Sequence, residues 1–263
     1  MAGSFGQRMK MYEENLDSSI MPGLPVYVRL DGRCFSKFTR DMEYPNPRII
    51  KAMKKVCEKL IEETHATIAY TQSDEISLAF KSTSWCENFL FRGRIQKLAS
   101  VLAGIASSTF MKEVLKNIPE KAHLTPVFDC RVVQFPSDVE LANMFLWRVR
   151  DCVKNSIGLT ALDYFSHKEL QGVSSDERRD MLIQQKGVNW NDLPSTHKEG
   201  WWYRREVVKR ELTDEERSVI PEKHRPTGPV LRSQIVQMDM PRFDRVINRA
   251  DVILNGVKPR YRW

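Results

Sequence analysis

An α+β fold, with helices laid on one antiparallel sheet, is what this sequence predicts, and three observations predict it. Residues 26–30 alternate, with Val26, Val28 and Leu30 on one side and Tyr27 and Arg29 on the other, the period of two that belongs to a strand. Residues 67–72 and 76–80 alternate in the same way around the short interruption Ser73-Asp74-Glu75, which reads as a hairpin. Helical patterns separate these strands from each other and from a fourth strand over 127–135. The order is therefore β-α-β-β-α-β, the split β-α-β arrangement of ferredoxin-like folds. In that arrangement the first strand is central, and the loop after it emerges at the same edge as the turn of the hairpin. Asp31 and Asp74 are expected to meet there.

Each element has a local cause. The residues before Pro22 read as a short helix or arm, with Met9, Met11, Tyr12 and Leu16 roughly on one side, and Pro22-Gly23-Leu24-Pro25 ends it. After the first strand, Asp31-Gly32 supplies a turn, and Phe35 and Phe38 are expected to pack back on the core. Pro45-Asn46-Pro47 introduces a long helix in which Ile49, Ile50, Met53, Val56, Cys57, Leu60 and Ile61 fall at helical spacing, opposite a lysine- and glutamate-rich side. A second long helix is expected over about 88–115, with Ile95, Leu98, Leu102, Ile105 and Ala106 as its buried stripe.

Beyond the fourth strand, Ser137-Asp138-Val139-Glu140 is a capping box that opens a further helix. A shorter one starts near Ser175 and closes at Gly187. Two strands are expected over 201–209 and 230–238, separated by a capping box at Thr213. The division this suggests is a catalytic unit over 1–136 with its N-terminal arm, and a helical and β extension over 137–263 packed on it. The end of the chain, Lys258-Pro259-Arg260-Tyr261-Arg262-Trp263, reads as a solvated tail or a nucleic-acid contact.

Composition narrows the class of partner. At 263 residues the chain can bury a substantial core, and 41% hydrophobic with 29% charged residues is the balance of a soluble globular protein. No apolar run long enough for a bilayer is expected, and no membrane partner. The N-terminus carries no secretory pattern. Five widely spaced cysteines without a Cys-x-x-Cys pair, and five scattered histidines, argue against structural zinc and for a reducing, cytoplasmic setting. Lys and Arg number 41 against 34 acidic residues, a net charge of +7, which suits a polyanionic partner without specifying one.

Asp-Gly and Ser-Asp-Glu, each alone, are ordinary turn chemistry. Together, two carboxylates at adjacent strand ends with basic residues on a neighbouring helix suit metal-assisted phosphoryl transfer. Mg²⁺ accepts a few protein oxygens and fills its shell with water and phosphate.

The residues go further than the spacing. Arg29-Leu30-Asp31-Gly32-Arg33-Cys34-Phe35, Ala69-Tyr70-Thr71-Gln72-Ser73-Asp74-Glu75 and Phe128-Asp129-Cys130-Arg131-Val132-Val133 together resemble the tRNA-histidine guanylyltransferase family. The resemblance runs from about residue 25 to 205 and takes in Arg94 and Lys97. It implies a polymerase-palm-like catalytic domain that adds nucleotides in the 3′-to-5′ direction to RNA 5′ ends, after activation by a nucleoside triphosphate. By that similarity Asp31, the Gly32 carbonyl and Asp74 would hold two Mg²⁺ ions, with Glu75 as a secondary acidic group in the catalytic set. Arg29, Arg33, Cys34, Phe35, Ser73, Arg94, Lys97 and Arg131 would surround the phosphates of ATP, GTP or another nucleotide. Asn155, Lys198, Arg204 and Arg205 would contact tRNA, and a homotetramer is implied.

Two departures bear on the branch. Eukaryotic enzymes that guanylylate histidine tRNA carry a His-Ile-Asn-Asn run where Val153-Lys154-Asn155-Ser156 stands here, and a histidine at the position of Ser36. The differences resemble the guanylyltransferase-like branch that repairs truncated tRNA 5′ ends on a template. Histidine-tRNA-specific guanylylation, nucleotide cyclisation on the same palm, and non-catalytic RNA binding through the stretch around Trp201 to Arg205 are the alternatives. Gln72-Ser73 stands where diguanylate cyclases place Gly-Gly, which disfavours cyclisation.

Overall fold

In the computed structural model, which describes residues 4–43, 45–81 and 89–262, the alternation along the first strand sorts its side chains onto two faces that are both covered. The chain begins with α1 (Phe5–Glu14), capped reciprocally by Ser4 and Gln7 and burying none of its residues. Strand β1 (Val26–Gly32) leads through the single turn α2 (Phe35–Phe38) to α3 (Pro47–Thr64), started by Asn46, whose side chain accepts from the Arg48 and Ile49 amides. The hairpin β2 (Ile68–Gln72) and β3 (Glu75–Phe80) follows, then α4 (Ile95–Asn117) and β4 (Phe128–Gln134).

The α+β order read from the sequence is thus the order observed. All strand pairs are antiparallel, and the sheet runs β4-β1-β3-β2 before two later strands extend it. Even-numbered residues of β1 and β3, Val26, Val28, Leu30, Ile76, Leu78 and Phe80, pack against α3 and α4 in one core. Phe35, Phe38 and Phe110 meet there with ring centroids 5.4 to 5.6 Å apart, so the loop after β1 is pinned to α4.

Helix α4 differs from expectation at its start. It begins at Ile95 because Phe91 and Arg92 turn to positive φ and Gly93, at φ 73°, completes a reversal before it. The expected start near Asn88 lies outside the described residues. Contrary to the expectation of no such run, α4 is by length and composition able to cross a bilayer. Here Leu98, Leu102, Ala106, Phe110 and Val114 face the sheet, so its apolar side belongs to the core.

The opposite face of the sheet is covered by α5 (Asp138–Leu162), with α6 (Ser175–Lys186) and α7 (Ser195–Glu199) beyond it. Odd-numbered Tyr27 and Ala79 join Leu141, Phe145, Val149 and Trp202 in this second core. Strand β5 (Trp201–Arg210) pairs with β2 and carries the sheet outward. After α8 (Asp214–Val219), β6 (Val230–Gln237) pairs with β5, and α9 (Arg249–Asn255) returns to the second core. The entry of β5 depends on Gly200: its φ is +79°, and a Cβ there would stand 2.6 Å from the Thr71 carbonyl oxygen. Only glycine lets β5 come this close to β2. Cys34, Cys57, Cys130 and Cys152 are free thiols.

Candidate active site

Strand register sets the site. Asp31 is paired with Glu75 on β3 and with Asp129 on β4, so three acidic residues lie in one row across the end of the sheet. Beyond that row, β2 and β3 are joined by the two-residue turn Ser73-Asp74, with Ser73 at φ 49°. A non-glycine residue there costs about 1 kcal/mol, a local strain of the kind that clusters at functional sites. The Gly32 amide donates to the Asp74 carbonyl oxygen at 3.2 Å, which ties the turn to the end of β1.

Gly32 is where the two halves meet. A Cβ on it would stand 2.9 Å from the Asp74 Cβ and 3.0 Å from Asp74 Oδ2, so the carboxyl lies directly on the glycine. Burial pushes the Asp74 carboxyl up to about 6, and the neighbouring Asp31 charge adds to the rise. A buried Asp74 carboxyl whose ionisation the adjacent Asp31 charge opposes fits a site for a dication. Among the described residues no three His, Cys, Asp or Glu side chains converge as a metal cage. An ion bound here would complete its shell from backbone carbonyl, water and substrate phosphate.

Glu75 has a different fate. Its two carboxylate oxygens accept from Arg148 Nε and Nη2, both at 2.6 Å, and Arg148 Nη2 also reaches Asp151 at 3.0 Å. Burial raises the Glu75 carboxyl and Arg148 opposes the rise. Arg29 stands between the acids, with Nη2 3.8 Å from Asp31 and Nε 3.9 Å from Glu75. Neither distance is a hydrogen bond, and Arg29 Nε is buried without an acceptor.

Two cavities of opposite character flank the carboxylates, and both are lined by Asp31, Ser73, Asp74, Leu159 and Trp201. One, of about 620 Å³, lies on the side of α2 and α3 and is walled by Phe35, Met42, Ile49, Ile50 and Met53, with Cys34 at its edge. The other, of about 540 Å³, lies under α5 and is walled by Arg29, Arg148, Lys154, Asn155, Arg178 and His197. Apolar walls suit a nucleobase and cationic walls suit phosphate.

The remaining expected residues are dispersed. Arg33 is exposed, and its amide donates to the Val127 carbonyl. Phe35 is in the core. Arg131 lies opposite Arg29 in β4 and pairs with Asp129 at 3.4 Å. Arg94 pairs with Asp17 at 3.6 Å, and Lys97 lies over the Phe91 ring. Both stand where α4 begins, beside Ile20 and the start of β1, the end of the sheet away from Asp31. Asn155 reaches the cationic cavity. Lys198 donates to the Asn191 carbonyl, Arg204 to Glu206 and the Gly256 carbonyl, and Arg205 to Ser233 and the Ile61 carbonyl, so each braces its own chain.

Arg148, Lys154, Leu159, Arg178 and His197 line the site without having been singled out in the sequence, and Trp201, named there only within a stretch that could bind RNA, lines it too. For α5 a signal exists: Arg148, Cys152, Asn155, Leu159 and Leu162 recur at helical spacing and all face the cationic cavity. Arg178 and His197 carry no such signal.

Comparison with known proteins shows the family. The family model described as "Thg1: tRNAHis guanylyltransferase" matches residues 6–136. A probable tRNA(His) guanylyltransferase of Drosophila melanogaster is 30% identical over 214 residues, 76% of this chain and 73% of that protein. A bacterial tRNA(His) guanylyltransferase (Thg1)-like protein in complex with ATP superposes with a TM-score of 0.70 at 34% identity, covering 77% of this chain and 87% of that one. The GTP complex of a bacterial Thg1-like protein gives a TM-score of 0.69 at 28% identity over 92% and 94% of the two chains.

Proposed function

The chain belongs to the tRNAHis guanylyltransferase family of nucleotidyltransferases, and on that premise we propose that it is a templated 3′-to-5′ polymerase that repairs tRNA 5′ ends. The observation that carries the reading is the seating of Asp74 on Gly32 beside Asp31, between an apolar and a cationic cavity. The apolar cavity takes the base of the nucleoside triphosphate. The acceptor 5′ end enters from the cationic side. A monophosphorylated end is first joined to a nucleotide from ATP or GTP with release of pyrophosphate. The 3′-oxygen of the incoming nucleotide then bonds to the RNA 5′-phosphorus, and the activating nucleotide leaves as its monophosphate.

Asp31, Asp74 and the Gly32 carbonyl are the groups that would hold Mg²⁺, which when bound lowers the cost of the attacking oxygen's charge and neutralises the leaving phosphates. Arg29, held off both Asp31 and Glu75, is placed to accept phosphate charge. Glu75 positions Arg148. Val153, Ser156 and Ser36, which depart from the pattern of histidine-tRNA enzymes, favour the repair branch over guanylylation of one tRNA. Arg94 and Lys97, remote from Asp31 within one chain, fit phosphate binding in a neighbouring subunit of the implied tetramer, which sedimentation equilibrium would test. Residues 1–136 act as the catalytic unit, and 137–263 supply Arg148, Lys154, Arg178 and His197 to the wall of the cationic cavity.

The test is incubation with Mg²⁺, labelled nucleoside triphosphates and a tRNA lacking its first nucleotide. Incorporation that follows the opposing base supports templated repair. Addition of guanosine to histidine tRNA alone, or a cyclic product without RNA, contradicts it.

A further inference from the structure

The cations around the cavity under α5 are not equivalent. Arg148 is committed to Glu75 and Asp151, and Arg29 stands between Asp31 and Glu75. Lys154 and Arg178 have no carboxylate partner among the described residues. Arg178 is the more confined of the two: its Nη2 donates to the Leu170 carbonyl at 3.1 Å, while its Nε is buried without an acceptor. An unsatisfied buried donor of this kind costs roughly 1–3 kcal/mol, which a ligand oxygen would recover.

The seat of this guanidinium is built from two helices. Gly158 of α5 leaves room for it, since a Cβ there would stand 3.1 Å from Arg178 Nη1. The capping box between Ser174 and Glu177 fixes the start of α6, and the Arg178 amide donates to the Ser174 carbonyl oxygen. A guanidinium held in this way presents a planar fork suited to phosphate.

We propose that Arg178, seated on Gly158 with Lys154 beside it, binds the phosphate at the 5′ end of the acceptor RNA and sets the preference for a phosphorylated end. The assignment rests on the proposed tRNA-extending function, because it is the apolar cavity across Asp31 and Asp74 that takes the nucleotide base and leaves this side to the RNA.

Binding measured by fluorescence anisotropy tests it, using one truncated tRNA prepared with a 5′-monophosphate or a 5′-hydroxyl, and labelled GTP as a separate arm. Wild type is expected to bind the phosphorylated RNA more tightly. Arg178→Gln should lose that preference by about tenfold, with hydroxyl-ended RNA and GTP bound as before. Arg178→Lys should keep part of it. Gly158→Ala improves the helix while displacing the guanidinium, so it should reproduce the loss even if Arg178→Gln fails to fold. If either folded variant keeps the wild-type preference, or if GTP affinity falls in parallel, the assignment of Arg178 to the RNA phosphate is overturned. Failure of the wild type to extend the truncated tRNA would instead remove the functional reading beneath it.

Discussion

Glu75 and Arg148 lie 73 residues apart in the chain and share a buried bidentate ion pair, with both donor-acceptor distances at 2.6 Å. The pair locks α5 onto the end of β3. It also takes up the carboxylate adjacent to Asp74 in sequence, leaving Asp74 and Asp31 as the acids that line both cavities.

Removing one partner of a buried pair leaves the other charge unsolvated, a cost of about 3–5 kcal/mol. Arg148→Met and Glu75→Gln are each expected to destabilise by that order in urea unfolding. The double variant should be less destabilised than the sum of the two, because no orphan charge remains. Additive losses would show that the pair does not act as a unit.

The pH dependence follows from Asp74. Its carboxyl is pushed up to about 6, whereas an aspartate in an unfolded chain ionises near ~3.9. Between these values the folded protein keeps a proton that the unfolded chain has released. Stability without divalent ions is therefore greatest below the unfolded value and falls as pH rises through about 6. Asp74→Asn should flatten this decline in thermal melts. Glu75, raised by burial, leaves a residue of the same sign. Mg²⁺ should raise the melting temperature more above about pH 7 than below about pH 5, since it competes with the proton.

Gly32→Ala would push a methyl group to 2.8 Å from Phe35 Cδ2 and 2.9 Å from Asp74 Cβ. Displacing the turn is expected to cost about 1–3 kcal/mol and to reduce nucleotide addition by more than about tenfold. Gly104→Ala is the matched control. It lies within α4 with open space around it, and should gain up to about 1 kcal/mol of stability without affecting addition.

The four-strand order and the meeting of Asp31 with Asp74 were legible because both depend on local signals. Alternation marks the strands, turn residues end them, and the split β-α-β order brings the ends together. The Glu75–Arg148 pair was not legible, because an arginine on an amphipathic helix reads as a solvated charge until the helix is docked. Arg94 and Lys97 show the converse. They lie close in sequence to the hairpin that carries Asp74, yet α4 starts at the far end of β3 and so begins away from the site. Trp201 read as the first residue of a strand and as part of an RNA-binding stretch, not as a wall of the carboxylate site. Its place beside both cavities depends on the approach of β5 to β2 that Gly200 permits.

The most direct measurement is the rate of Mg²⁺-dependent nucleotide addition to a 5′-truncated tRNA by wild type, Asp31→Asn and Asp74→Asn, with tRNA affinity measured on the same samples. Both variants are expected to bind tRNA as the wild type does and to lose addition by at least about a hundredfold. Addition at the wild-type rate by either variant, with binding intact, would contradict the assignment of Asp31 and Asp74 as the metal-holding pair.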